Sequence, residues 1–223
     1  MFFGALPFPV RDNSRAVLAG AFAVPVAILF AVAASQPGPL SWHMGLHITS
    51  MNVIAPLLAV MLNRYRLSSD WSRPGVMWGL AFAQLAVLWA AHSPTVHHHL
   101  HHAAAGNILL HVLLFAVALA FWTSVAAAVA HRWQAMLALL ISGKFACLLG
   151  VLLIFAPRLL FGAHAEHAGH TATSLTDQQL AGLLMIAACP LSYVLPAVVL
   201  AVQAVNGLEG SRDNPVSGGL ARR

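Results

Sequence analysis

The sequence predicts an all-α protein: a bundle of about six transmembrane helices in one domain spanning residues 1–223, with both termini in the cytoplasm. Of the 223 residues, 60% are hydrophobic and only 8% are charged, and the mean hydropathy is +0.79. Soluble domains carry about a quarter charged residues. Apolar runs of about 20 residues, long enough to cross a bilayer core of roughly 30 Å, recur along the chain. Basic residues gather in the short loops between them, as orientation signals do.

The apolar runs define the spans. We expect helices at residues 16–34, 41–62, 75–91, 105–130, 134–156 and 177–206, followed by a polar tail at 207–223. The first run ends in Ala31-Val32-Ala33, which resembles a signal-peptidase site. Its apolar stretch is longer than the usual 7–15-residue signal core, so we expect it to be retained as a span.

Breaks in the apolar pattern separate the later spans. Prolines and glycine at 36–39 precede the second run, and His92-Ser93-Pro94 stops the third. His131-Arg132 closes the fourth run, and the loop at 157–176 separates the last two. Both cysteines, Cys147 and Cys189, fall inside apolar runs, so a disulfide framework is not expected.

The basic residues predict the orientation. Nine arginines lie in the lead, the second loop, the fourth loop and the tail: Arg11, Arg15, Arg64, Arg66, Arg73, Arg132, Arg212, Arg222 and Arg223. The opposite side holds only Arg158. This asymmetry assigns both termini to the cytoplasm and supports an even number of spans. No basic stripe with interleaved aromatic residues indicates nucleic-acid binding.

The histidines concentrate on the outer side, which holds twelve of the thirteen; only His131 lies inside. On the second span His43, His47 and Met51 follow one another at intervals of four, so they share one helix face. At 1.5 Å per residue, His47 and His111 both lie about 9 Å below the outer ends of their helices. Met185 and Cys147 fall within about 10–15 Å of that face.

Imidazole and thioether ligands at one depth suit copper, particularly Cu(I). The predicted ligands are His43, His47, His111, His92, Met51 and Met185. The residues predicted to support or gate this site are Asp177, Gln178, Asn107, Cys147 and Lys144. A histidine-rich connector is expected to collect metal loosely at the surface: His97, His98, His99, His101 and His102.

Structural roles remain open for the same residues. The histidines could hydrogen-bond to loops or neighbouring helices, and the sulfur-containing side chains could serve as ordinary core packing. Asp177 could simply favour the N-terminus of its own helix. Lys144 lies near mid-bilayer without a visible acidic partner, which is typical of a functional residue.

Several motifs resemble one protein family. They are His43-Met44-x-x-His47, Trp89-x-x-His92-x-Pro94, His111 with Phe121-Trp122, and Asp177-Gln178-Gln179-x-x-Gly182-x-x-Met185. In order and spacing they resemble the multi-helix CtaG-type assembly proteins of caa-type cytochrome c oxidases. The resemblance spans about residues 42–199, and its Asp-Gln-Gln element is the most specific part.

The resemblance implies a non-catalytic factor of the bacterial inner membrane that matures a haem–copper oxidase by handling copper. The family's membrane histidines would correspond to His43, His47, His92 and His111, and its acidic element to Asp177. The implied partner is an oxidase subunit, with a periplasmic copper chaperone as a further candidate.

Two other functions stay open. Two histidines at matching depth on separate helices, His47 and His111, could be the axial ligands of a haem b in an electron-transfer protein. Lys144 together with Pro190 and Pro196 could belong to a broken-helix path in a metal or proton transporter.

Overall fold

A computed structural model describes residues 38–64, 70–93, 96, 104–160 and 174–212, and this part of the chain forms helices without strands. Five helices are long and apolar enough to cross a membrane: Pro39–Asn63, Pro74–Ala91, Ile108–Ala127, Arg132–Phe155 and Leu175–Asn206. They match five of the six predicted spans to within a few residues. The sixth, expected at 16–34, lies outside the described residues.

The helices follow one another through short connections. Helix α1 (Pro39–Thr49) continues through a π-helical turn (Ser50–Ile54) into α2 (Ala55–Arg64), so these three elements make one span. The later helices are α3 (Pro74–Ala91), α4 (Ala104–Ala127), α5 (Arg132–Phe155) and α6 (Leu175–Arg212). Short 3₁₀ turns at Asp70–Ser72 and Val129–His131 precede α3 and α5.

The helix starts follow from local sequence. Pro39 and Pro74 occupy the first turns of α1 and α3, where the missing N–H costs nothing and the fixed φ suits a helix. Helix α6 is capped by Ser174, whose Oγ accepts a hydrogen bond from Asp177 N at 3.0 Å. With 38 residues, α6 is about 57 Å long, so its last turns extend beyond a bilayer core.

Helices α5 and α6 make the most extensive contact, and two glycines allow it. A Cβ added at Gly182 would lie 2.7 Å from the Gly150 carbonyl oxygen, and one added at Gly150 would lie 2.9 Å from the Gly182 oxygen. Small residues at crossing points let membrane helices approach closely without a hydrophobic driving force. The closely packed α5 and α6 therefore form a surface against which other helices of the bundle pack.

A hydrogen bond from the neighbouring helix α4 stabilises the π-helical turn. Trp122 Nε1 donates a hydrogen bond to the Met51 carbonyl oxygen at 3.0 Å, and its ring stacks on Tyr193 with centroids 5.4 Å apart. A π-turn adds one residue to the helix repeat, which changes the face that the following residues present. Here it leaves Met51, Asn52 and Val53 all buried.

Candidate metal centre

Three histidines from two spans meet near one end of the bundle. His43 and His47 lie on α1 and His111 on α4, and their potential ligand nitrogens lie within 4.8 Å of one another. His47 is buried, whereas His43 and His111 are half-buried. The sequence predicted that His47 and His111 share one depth and that His43 shares a helix face with His47, and the structure brings the three side chains together.

The ring geometry leaves a common volume between the nitrogens. The Nε2 atoms of His43 and His47 are 2.9 Å apart and share a hydrogen bond. The His111 ring lies parallel to that of His47 with centroids 4.5 Å apart, and edge-on to His43 at 4.8 Å. Imidazole nitrogens around a tetrahedral ion bound at 2.0–2.1 Å lie about 3.3 Å apart. The three nitrogens therefore lie close to the spacing that one shared metal ion requires.

His92 lies beside this cluster at the C-terminal end of α3, with its ring centroid 5.7 Å from that of His47. Its Nδ1 lies 2.8 Å from the Leu88 carbonyl oxygen. A carbonyl only accepts, so Nδ1 carries the proton and Nε2 presents its lone pair. Metal-binding histidines commonly have this backbone hydrogen bond, which fixes the tautomer and orientation of the ring.

Asp177 holds the helix that carries the histidine pair. The N-cap of α1 is Gly38, which has no side chain to cap the helix. The Asp177 carboxylate instead accepts hydrogen bonds from Leu40 N at 2.9 Å, from Ser41 N at 3.1 Å and from the Ser41 hydroxyl. A Cβ at residue 38 would collide with this carboxylate. Asp177 thus serves the N-termini of α1 and α6 together and positions His43 without lying among the clustered nitrogens.

The other predicted supporting residues lie away from the cluster. The Gln178 amide binds the end of α5, because its Nε2 donates to the Leu153 carbonyl oxygen and its Oε1 accepts from Leu160 N. Lys144 is exposed on the outer face of α5 and Cys147 is only partly buried. None of these observations places the three side chains in contact with the clustered histidines, and their roles as gate or support stay predictions.

The remaining predicted residues are only partly described. Asn107 lies within α4 one turn before His111, and only its backbone is described. The histidine-rich connector lies outside the described residues: His97, His98, His99, His101 and His102.

The predicted sulfur ligands line a cavity next to the histidines. Met51 and Met185 both face a cavity of about 20 Å³ that His47 and His92 also border. Met44 and Cys189 line it as well, and the sequence analysis did not assign either to the site. Met44 lies between the two histidines of the first motif, and this position is the sequence feature that could have indicated its place at the site. Cys189 precedes Pro190, which suggested a packing role at a kink.

These features define a polytopic helical membrane protein with a histidine cluster near one end of its bundle. The chain belongs to the cytochrome c oxidase caa3 assembly factor family, whose model matches residues 11–206. This match confirms the resemblance read from the motifs. No curated protein and no solved structure matches the chain.

Proposed function

We propose that this protein supports cytochrome c oxidase assembly by binding copper at His43, His47 and His111 and passing it to an oxidase subunit. The observation that carries the proposal is the convergence of these three imidazoles, with nitrogens within 4.8 Å of one another. Nitrogen donors of this kind suit copper, and a copper-dependent oxidase is the partner implied by the family.

His92 is the fourth candidate ligand. Its Nδ1 is engaged by the Leu88 carbonyl oxygen, and its ring lies next to that of His47 with centroids 5.7 Å apart. Three or four neutral imidazoles can hold a copper ion without a neighbouring carboxylate. The carboxylate of Asp177 is already engaged by α1, so it acts on the metal only by fixing the position of the helix.

The arginine distribution assigns the histidine end of the bundle to the periplasmic side of a bacterial inner membrane. Half-buried His43 and His111 would then receive copper from the periplasm, either free or from a soluble chaperone. Copper would leave by the same face toward the oxidase. The chemistry is ligand exchange, with no covalent bond of a substrate made or broken.

The geometry favours copper over a haem between the same residues. Axial haem ligands direct their nitrogens toward each other across the iron, with the porphyrin between the rings. The rings of His47 and His111 instead lie face to face, 4.5 Å apart and 4° from parallel. The transporter alternative gains no support either, because Lys144 lies on the exposed surface of α5.

Complementation of a deletion strain tests this function. We expect His111→Ala to reduce cytochrome c oxidase activity and the copper content of the purified oxidase, while haem content changes less. The matched control is His131→Ala, at the opposite end of the bundle, which should behave as wild type. Added copper should partly restore oxidase activity in the His111→Ala strain. Full activity and normal oxidase copper in that strain, at equal protein level, would refute the proposal.

A further inference from the structure

We infer that the chain contains a second metal site, a sulfur site for Cu(I), in the cavity next to the histidines. The inference rests on the proposed function, because the histidine cluster is the source of copper for this site in the cell. The sulfur site is the cavity lined by the side chains of Met44, Met51, Met185 and Cys189, with His47 and His92 at its border. Nothing in the family description assigns such a site.

The sulfur atoms come from two separate spans. Met44 and Met51 belong to the first described span, and Met185 and Cys189 lie seven and eleven residues after Gln178 on α6. Three of the chain's seven methionines and one of its two cysteines therefore line one cavity. All four side chains are buried, at 1–4% exposure.

The cavity is large enough for one ion, and its lining offers sulfur ligands for a soft metal. Its volume of about 20 Å³ accommodates one water-sized particle, but a water needs two to four polar partners. Two polar side chains at its wall already take part in hydrogen bonds: the Tyr193 hydroxyl accepts one from Gln84, and Asn52 donates to Cys189 Sγ at 3.7 Å. The four sulfur atoms are therefore the main ligands that this cavity offers, beside the imidazoles of His47 and His92 at its border. Thioether and thiolate ligands select Cu(I).

A neutral copper–thiolate pair lowers the energetic cost of binding a copper ion inside the bundle. A cation held only by neutral thioethers would leave a net charge in a low-dielectric interior, which is costly. Binding of Cu(I) by Cys189 with loss of the thiol proton gives a neutral pair, and the proton leaves toward the histidines and water. Asn52 stabilises the sulfur as a hydrogen-bond acceptor in that state.

His47 connects the two sites because it belongs to the histidine cluster and to the cavity wall. Copper bound by imidazoles could therefore pass inward by exchanging one ligand at a time. A dry sulfur site would keep Cu(I) reduced and away from water until a partner withdraws it.

Anaerobic Cu(I) titration of the purified full chain against a competing chelator tests this inference. We expect wild type to bind two Cu(I) ions and the double variant Met185→Leu/Cys189→Ala to bind one. The X-ray absorption of wild type should show sulfur and nitrogen scattering, and that of the double variant nitrogen alone. Met77→Leu is the matched control, because Met77 is equally buried but lies outside the cavity; it should bind two.

The single variant Met51→Leu keeps side-chain volume and hydrophobicity, so it tests the site even if the double variant misfolds. It should weaken Cu(I) binding at one site at least tenfold. The variant His43→Ala/His111→Ala separates this inference from the proposed function, because it should keep one Cu(I) with sulfur scattering. One Cu(I) in wild type, with nitrogen scattering only and no change in Met185→Leu/Cys189→Ala, would overturn the sulfur site and leave the histidine site standing. Absence of copper from wild type would overturn both.

Discussion

Replacing Asp177 with alanine should loosen the start of α1 and thereby weaken copper binding at a distance. The carboxylate accepts hydrogen bonds from Leu40 N, Ser41 N and the Ser41 hydroxyl. A hydrogen bond to a charged group contributes about 1.5–3 kcal/mol, and loss of an N-cap costs about 0.5–2 kcal/mol. Because the three bonds share one carboxylate and their contributions are not additive, we take the lower values and expect a loss of about 2–4 kcal/mol in the free energy of unfolding.

The effect on copper follows from the position of His43, four residues into α1 from Pro39. Fraying of the first turn separates His43 from His47 and His111. Loss of a residue that orients metal ligands typically reduces affinity about 10–100-fold. Chemical denaturation in detergent measures the stability, and competition with a chelator measures the copper affinity of Asp177→Ala.

Ser174→Ala is the matched control, because Ser174 caps α6 alone. It should cost about 1 kcal/mol of stability and leave copper affinity unchanged. Asp177→Asn, which keeps an acceptor oxygen but loses the charge, should fall between wild type and Asp177→Ala. Wild-type stability and copper affinity in Asp177→Ala would refute the proposal that Asp177 holds the start of α1 in place. Complete loss of copper without loss of stability would instead identify Asp177 as a ligand.

Two further predictions concern the packing that holds the site. Gly182→Ala should cost about 1–3 kcal/mol of stability, because the added methyl collides with a backbone oxygen of α5; Gly79→Ala, with open space around it, should be neutral or stabilising. A thermal-unfolding series in detergent that ranks these two alike would contradict the close α5–α6 approach. Trp122→Phe should cost about 1–3 kcal/mol, because it leaves the Met51 carbonyl in the π-turn without its donor. Trp133→Phe, at an exposed position, should change stability little. Equal losses of stability in the two variants would contradict the role of Trp122 in stabilising the π-turn.

Hydrophobicity and spacing predict the spans well because the bilayer imposes a length on every crossing segment. The five described helices begin and end within a few residues of the apolar runs, except that α6 continues to Arg212. Depth counting also predicted that His47 and His111 share a level. Depth depends only on the rise per residue, which is the same in every helix.

Which helix faces meet cannot be read from one sequence. Gln178 and Met185 share a face by spacing, yet Gln178 bonds to the end of α5 while Met185 lines the cavity. The π-turn adds a further uncertainty of register, since no residue pattern in the second run signals it. Depth counting places Lys144 near mid-bilayer but does not say which face of its helix it occupies, and its side chain lies on the outer surface of α5.

Asp177 shows how tertiary structure assigns a role that local sequence only suggests. Its position in the first turn of α6 predicts an interaction with its own helix dipole. The more important partner is α1, more than 130 residues earlier in the chain. Gly38 makes this contact possible by leaving the space that the carboxylate fills.

Direct measurement of copper affinity for the purified chain tests the central claim, that imidazoles from two spans bind one copper ion. The measurement compares wild type with His47→Ala and His111→Ala, using His131→Ala as the control. Each of the two cluster variants should bind copper at least tenfold more weakly than wild type, with fewer nitrogen neighbours in the X-ray absorption of the bound metal. Equal affinity and an unchanged nitrogen count in all four proteins would contradict the assignment of the site.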